Sequence, residues 1–336
     1  MGKKARQVEL RNICEYLGWT TLKGLALLFF TSIVIFVLVN MSPIDTVRAY
    51  IGYDVIISEE QRAAITEQWG LDRPPLQRYF SWLGSALRGD WGTSFLYNRP
   101  VLPLIWEMFK SSLLLMSVAW VCSGLFTFAL GIVAAFNRGN WVDKSIKSVS
   151  LTLAATPSFW CGMVLIMIFS VWLDILPTGL ATPAGKLASE VTLGDRIRHL
   201  ILPVIALSLN GMANIVLHTR EKMIRSLESE YSLFARARGE SRSSIFWRHN
   251  LRNVLLPAVT LHFASFSELF GGSVFVETVF AYPGVGQAAV QAGLKNDVLL
   301  LVAIAVFATL FVFVGNITAD ILYAVIDPQI RDGYRA

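Results

Sequence analysis

Glu230–Pro257 reads EYSLFARARGESRSSIFWRHNLRNVLLP. Its opening part, Glu230 to Gly239, is built from helix formers around Ala235, Arg236, Ala237 and Arg238, and Gly239 is a natural stop. As a helix these ten residues would extend about 15 Å. The stretch is basic, and a long apolar run lies on either side of it. Its small alanines permit close approach and its arginines offer directed polar contacts, which suits a docking element. A basic helix resting on anionic lipid has the same residues, so the stretch alone leaves both readings open.

The rest of the chain places it in a membrane. Of 336 residues, 54% are hydrophobic and only 16% charged, and the mean hydropathy is +0.53. A soluble domain carries about 25% charged residues. The net charge of +5 therefore marks loops beside a membrane and not nucleic-acid binding. Cys14, Cys122 and Cys161 have no paired spacing, which argues against a disulfide framework or a zinc site. Lys3, Lys4, Arg6, Arg11 and Lys23 precede or open the first apolar run, and no small-residue cleavage site follows it, so that run reads as a retained span.

Six runs approach the roughly 20 apolar residues a span needs: Leu22–Asn40, Leu113–Phe136, Val149–Leu173, Leu200–Thr219, Val254–Phe280 and Val298–Val325. Alternation of the β-barrel kind is absent, which leaves helices as the way to satisfy a backbone in lipid. Arg138, Lys144 and Lys147 follow the second run. Arg220, Lys222, Arg225, Arg236, Arg238, Arg242, Arg248 and Arg252 follow the fourth, whereas the fifth and sixth are separated by Lys295 alone. The positive-inside rule then makes segment 220–253 and both termini cytosolic and puts segment 41–110 outside. In that outer segment Leu76, Phe80, Leu83 and Leu87 predict an amphipathic helix, packed on the spans or facing an external partner. With no linker or repeat, residues 1–336 read as one all-α integral membrane domain.

Several chemistries are excluded. No Gly-x4-Gly-Lys-Ser/Thr pattern occurs, so no ATPase site is assigned to the chain. Gly284-Val-Gly286-Gln-Ala-Ala289 imitates a dinucleotide fingerprint but follows a span instead of a strand. Ala281-Tyr-Pro283-Gly284-Val-Gly286 is a sharp turn at the outer face. His199, His218, His249 and His262 lack metal-ligand spacing, and no convergent pair within the spans supports a membrane-embedded enzyme. A channel or scaffold working without ATP stays open on these grounds.

The Glu230–Pro257 stretch resembles the coupling segment of permease subunits in binding-protein-dependent ABC importers, most closely the dipeptide, oligopeptide and nickel branch. That branch reads roughly Asp-Tyr-x3-Ala-Arg-Ala-Lys-Gly, then His-x3-Asn, then Pro. Here stand Glu230, Tyr231, Ala235, Arg236, Ala237, Arg238, Gly239, His249, Asn253 and Pro257. The resemblance extends through Leu71-Asp72-Arg73-Pro74, Gly89-Asp90-Trp91-Gly92-Thr-Ser94, Pro157-Ser-Phe-Trp160, Arg198-His199-Leu-Ile-Leu-Pro203, Glu277-x2-Phe280, Pro283-Gly284-Val-Gly286 and Asp327-Pro328-Gln-Ile330-Arg331. Leu233 and Phe234 stand where the family usually has arginine and threonine, and Gln329 and Asn296 replace further arginines.

The resemblance implies a type I ABC importer permease fold in a bacterial or archaeal plasma membrane. It implies a homologous second permease, two cytosolic ATPase subunits that use ATP and Mg, and an external solute-binding protein, with no cofactor or metal bound by this chain. Glu230, Tyr231, Ala235, Arg236, Ala237, Gly239, His249, Asn253 and Pro257 would couple to the ATPases. Glu268, Glu277, Pro283, Gly284, Gly286 and Asp297 would form the translocation path or outer gate. Ser267-Glu268-Leu-Phe-Gly271-Gly272 is similar to a Gly-Glu-Leu-Ile-Gly-Gly segment of nickel-type permeases, and Asn98-Arg99-Pro100-Val101-Leu102 is similar to that subgroup too. A carboxylate in the path suits a cation or a cationic chelate, and it also suits the amino group of a peptide. Nickel or a metal chelate is therefore the leading expectation for the solute, with di- or oligopeptides as the alternative.

Overall fold

The computed structural model describes residues 2–43, 45–51, 58–68, 72–187, 189–209 and 211–326. Leu71 and the closing motif Asp327 to Arg331, with Gln329, lie outside the described residues. So do the side chains of Lys3, Lys4, Arg6, Arg11, Cys14 and Ser267. The elements run α1 (Gly2–Asn40), α2 (Thr46–Ile51), α3 (Glu59–Gln68), α4 (Pro75–Ala86), a hairpin of β1 (Thr93–Ser94) and β2 (Arg99–Pro100), α5 (Val101–Phe136), α6 (Trp141–Ala155), α7 (Ser158–Leu165), α8 (Leu193–Ser208), α9 (Met212–Leu227), α10 (Glu230–Ala237), α11 (Arg242–Ile245), α12 (Leu251–Ala264), α13 (Phe266–Val279), α14 (Val285–Leu294) and α15 (Val298–Ile326). Wider π-helical turns continue α7 over Ile166–Trp172 and join α11 to α12 over Phe246–Asn250.

The all-α membrane architecture expected from the sequence is the one found, with a difference in the spans. Thr21–Asn40, Val101–Phe136 and Val298–Thr318 are each long and apolar enough to cross a membrane alone. The three other expected spans are bent pairs: α6 and α7 at 111°, α8 and α9 at 62°, and α12 and α13 at 60°. Two of the bends have legible causes. Thr156 is extended ahead of Pro157, as a residue before proline must be. Gly211 holds a φ of +70°, a left-handed conformation that glycine adopts without strain.

Contacts divide the chain into two compact units, Met1–Met108 with Ala288–Val314 and Phe109–Gln287 with Gly315–Ala336. In the first, Phe36 of α1, Tyr79 and Trp82 of α4, and Val298 and Val302 of α15 form one buried cluster. Tyr79 is fully buried and shares a 2.7 Å hydrogen bond with the Ser32 hydroxyl, so its polar tip is satisfied. The apolar face expected for α4 is therefore displaced. Tyr79 and Trp82 turn inward with Leu83 and Ala86 against them, while Leu76, Phe80 and Leu87 are exposed. The stripe starting at Tyr79 buries larger rings than the leucine stripe and brings a hydroxyl within reach of Ser32, which sequence spacing did not weigh.

In the second unit α9 packs against α6 and α12, and α7 packs against α8 and α13. Ala135, Met223, Ile224 and Val254 form the buried seam between the ends of α5, α9 and α12. Beside it Arg220 grips Asp143 with two charge-assisted bonds, Nε to Oδ1 at 2.6 Å and Nη2 to Oδ2 at 2.7 Å. Asp143 is 1% exposed and also accepts from the Gly139 amide at 2.9 Å. Such a fork needs every partner, because a buried charge left alone is costly.

Candidate functional site

The basic segment folds into a short exposed helix braced from behind. Gly239 ends α10 with a φ of +83°. The Gly239 amide donates to the Arg236 carbonyl at 2.9 Å and the Glu240 amide to the Ala235 carbonyl at 3.1 Å, which together form a Schellman stop. Ala235 and Ser232 face inward. The Ser232 hydroxyl lies 2.7 Å from the Ser226 carbonyl at the end of α9 and 2.9 Å from Asn250 Oδ1. Tyr231 Oη shares a 2.7 Å bond with Ser226 Oγ, and Asn253 Nδ2 donates to Tyr231 Oη at 3.2 Å. His249 Nε2 meets Glu240 Oε2 at 3.2 Å, and Ser244 Oγ donates to the same oxygen at 3.1 Å. These contacts, Ser244 first, hold the Glu240 carboxyl below the usual carboxylate range.

Tyr231, His249 and Asn253 are thus brought together in one hydrogen-bonded brace, with Tyr231 and Asn253 still exposed, while Gly239 acts separately as the helix stop. Pro257 lies one turn beyond Asn253 inside α12. The outward face of α10 carries Glu230, Leu233, Phe234, Arg236, Ala237 and Arg238. Phe234 is 66% exposed, Trp247 on the following turn is also 66% exposed, and the Arg238 guanidinium lies over the Phe234 ring at 5.9 Å. Leu233 and Phe234, two of the residues that depart from the family pattern, give this face most of its apolar content.

A second constellation joins Glu277, Pro283, Gly284 and Gly286. Glu277 is fully buried, and its Oε2 accepts the Gly286 amide at 2.7 Å and the Gln287 amide at 3.2 Å. A carboxylate at these first free N–H groups of α14 caps the helix and matches its dipole. The Val285 amide donates to Ser112 Oγ at 2.9 Å. A Cβ on Gly284 would overlap the Glu277 carboxylate, and one on Gly286 would lie 2.6 Å from Val274 Cα and 2.9 Å from Glu277 Oε2. Both glycines are therefore set by the carboxylate. Next to this turn the Leu180 amide donates to the Phe280 carbonyl at 2.7 Å, and His199 Nδ1 donates to the Gly179 carbonyl at 2.7 Å.

Asp297, buried, caps α15 through the Leu300 amide at 3.2 Å and accepts from Ser94 Oγ at 2.7 Å and the Leu96 amide at 3.1 Å. It fixes the β1–β2 hairpin. Glu268 stands apart: it is exposed, in the first turn of α13, and shares a small cavity with Ser123, His262 and Ser265.

Residues 127–332 match the family described as binding-protein-dependent transport system inner membrane component. The chain belongs to that family. The permease is also similar to the oligopeptide transport system permease protein AppB of Bacillus subtilis strain 168, 35% identical across 95% of this chain and 100% of the relative. It is similar to the glutathione transport system permease protein GsiC of Escherichia coli K12, 33% identical across 90% of this chain and 94% of the relative. Among solved structures, the inward-facing MetNI methionine ABC transporter matches with a TM-score of 0.48 and 16% identity over 67% of this chain and 96% of that one.

Sequence reading of the permease missed the Asp143–Arg220 clasp, although both ends were visible as opposite charges at the margins of neighbouring apolar runs. It also missed Ser232 and Asn250, whose signal is a small hydroxyl and an amide on the inner faces of two short helices, and His262, which had been set aside for want of metal spacing.

Proposed function

We propose that this permease forms the path of an ATP-driven peptide importer. The observation that carries the solute class is the full-length similarity to permeases named for oligopeptide and glutathione transport. The order of solutes expected from the sequence is thereby reversed, with short peptides ahead of nickel. An external binding protein delivers the peptide, a homologous second permease completes the path, and two cytosolic ATPase subunits use ATP and Mg. The orientation is the one the lysines and arginines give, with segment 220–253 and both termini cytosolic and the membrane a prokaryotic plasma membrane.

The geometry supports a mechanical route. ATP-driven closure of the partners moves α10 through its exposed face of Leu233, Phe234, Arg236 and Arg238. The braces to Ser226, Asn250 and Asn253 hand that motion to α9 and α12. Those helices share the Met223, Ile224 and Val254 seam, so they move together. Each is half of a bent pair, and a bend is where a rigid displacement becomes a change of angle. ATP contributes only the difference in binding between the two states. The Glu277 turn and the Asp297-anchored hairpin supply rigid outer structure.

The test is uptake by cells lacking the chain, with labelled nickel and a labelled dipeptide in parallel. Loss of dipeptide uptake alone, restored by the gene, is expected. Loss of nickel uptake alone would return the chain to the metal reading.

A further inference from the structure

The small cavity beside Glu268 has an unusual chemical property: its hydroxyls and imidazole have already committed their donor hydrogens elsewhere. It is lined by Ser123, His262, Ser265, Glu268 and Leu269 and has a volume of about 10 Å³, room for one water-sized group. Ser123 Oγ donates to the Ser208 carbonyl at 3.1 Å. Ser265 Oγ donates to the His262 carbonyl at 2.9 Å. His262 Nε2 lies 2.9 Å from the Trp120 carbonyl, which can only accept, so Nε2 carries the hydrogen. In the neutral ring Nδ1 is then a bare lone pair. The ring is 8% exposed, stacks on Trp120 with centroids 4.5 Å apart, and its Nδ1 has no hydrogen-bond partner among the described residues. A carboxylate at Glu268 accepts only. What these groups offer a ligand is lone pairs and one negative charge.

The position is as particular as the chemistry. Ser265 and Glu268 sit at the bend between α12 and α13. A Cβ on Gly211, at the bend between α8 and α9, would lie 3.8 Å from Glu268 Oε2. The cavity therefore borders both bends, and broken helices at such points build transporter sites.

We propose that Ser123, His262, Ser265 and Glu268 form a subsite for a primary ammonium group, the α-amino end of the transported peptide, a proposal that rests on the peptide reading above. An alkylammonium is water-sized at its head, carries three donor hydrogens and no acceptor, and bears the opposite charge to Glu268. Ser123, His262 and Ser265 line the cavity with lone pairs for its hydrogens, and Glu268 with a carboxylate for its charge. A change of angle at either bend alters the spacing of these acceptors, which couples release of the group to the motion of α9 and α12.

The experiment uses the full transporter in proteoliposomes with three labelled probes: dialanine, its N-acetyl form, which lacks the charge, and its N,N,N-trimethyl form, which keeps the charge without donors. Binding of each probe to the external binding protein is measured separately, and uptake is expressed per peptide delivered. The unmodified transporter is expected to favour dialanine over the trimethyl form by about tenfold or more. Glu268→Gln and Ser123→Ala are each expected to flatten that preference while subunit assembly and ATPase activity persist. Equal uptake of all three probes by the unmodified transporter overturns the subsite without depending on how any variant folds. A preference unchanged in both variants overturns it as well. No uptake of any probe overturns the peptide reading itself, and the subsite with it.

Discussion

Glu277 Oε2 accepts the amide of Gly286 from nine positions further along the chain at 2.7 Å. The same oxygen would stand 2.9 Å from a methyl group placed on Gly286. A single carboxylate thus holds the Pro283–Gly286 turn and, together with Val274, leaves no room for a side chain at Gly286.

Gly286→Ala is therefore expected to destabilise the permease, by about 1–3 kcal/mol of the kind overpacking costs. Backbone Val274 Cα is the nearer obstacle at 2.6 Å, so side-chain rotation gives no relief. Thermal unfolding of the purified complex in detergent checks this. A melting temperature equal to that of the unmodified protein would show the turn to be looser than described.

Tyr231→Phe deletes the hydroxyl that meets both Ser226 and Asn253 and leaves the ring in place. Assembly with the ATPase subunits should survive, because Leu233, Phe234, Arg236 and Arg238 on the exposed face of α10 are unaltered and the half-exposed Tyr231 ring keeps its place. Peptide carried per ATP hydrolysed is expected to fall severalfold, since the brace between α10 and α12 is weakened. Uptake and phosphate release are measured on the same vesicles, and an unchanged ratio would remove the brace from the coupling route.

Phe234→Ala tests whether docking on α10 is apolar. An aromatic that serves as an interface hot spot contributes about 2 kcal/mol or more, so binding of the ATPase subunits should weaken by about thirtyfold or more. Reversal of Arg236 and Arg238 to glutamate should act through charge, with an effect that shrinks as salt rises. Titration of the ATPase at two salt concentrations separates the two contributions.

Asp143→Asn leaves the Arg220 guanidinium facing a neutral amide at a position 1% exposed. Breaking one side of a buried pair costs about 3–5 kcal/mol. The double variant Asp143→Asn with Arg220→Met should recover part of that loss, because the remaining charge of the cluster, Lys147, is 37% exposed and can be solvated. Equal instability of the single and double variants would mean that the clasp matters through shape instead of charge.

The spans and the basic segment were legible because each rests on local properties: length, apolarity and the distribution of lysines and arginines. Gly239 was legible as a helix stop for the same reason. Bends were less so, since Gly211 is one glycine among many until its positive φ is known. The inner face of α4 escaped because the leucine stripe and the Tyr79–Trp82 stripe share Leu83, and the choice depends on Ser32, which is 47 residues away. Asp297 could be assigned to the path or outer gate but not given a partner, because Ser94 lies 203 positions earlier. Glu268 was visible as a costly carboxylate in an apolar run. The acceptor character of its neighbours was not, because it depends on where Ser123, His262 and Ser265 send their hydrogens.

The most direct test of the central claim is accumulation of labelled dialanine in proteoliposomes holding the complete transporter, with binding protein on the delivery side and ATP on the side of α10. Dialanine is expected to accumulate well above the external concentration, and to lose that accumulation when ATP is replaced by a non-hydrolysable analogue. Equilibration to the external concentration without ATP would contradict that claim and make the chain part of a channel.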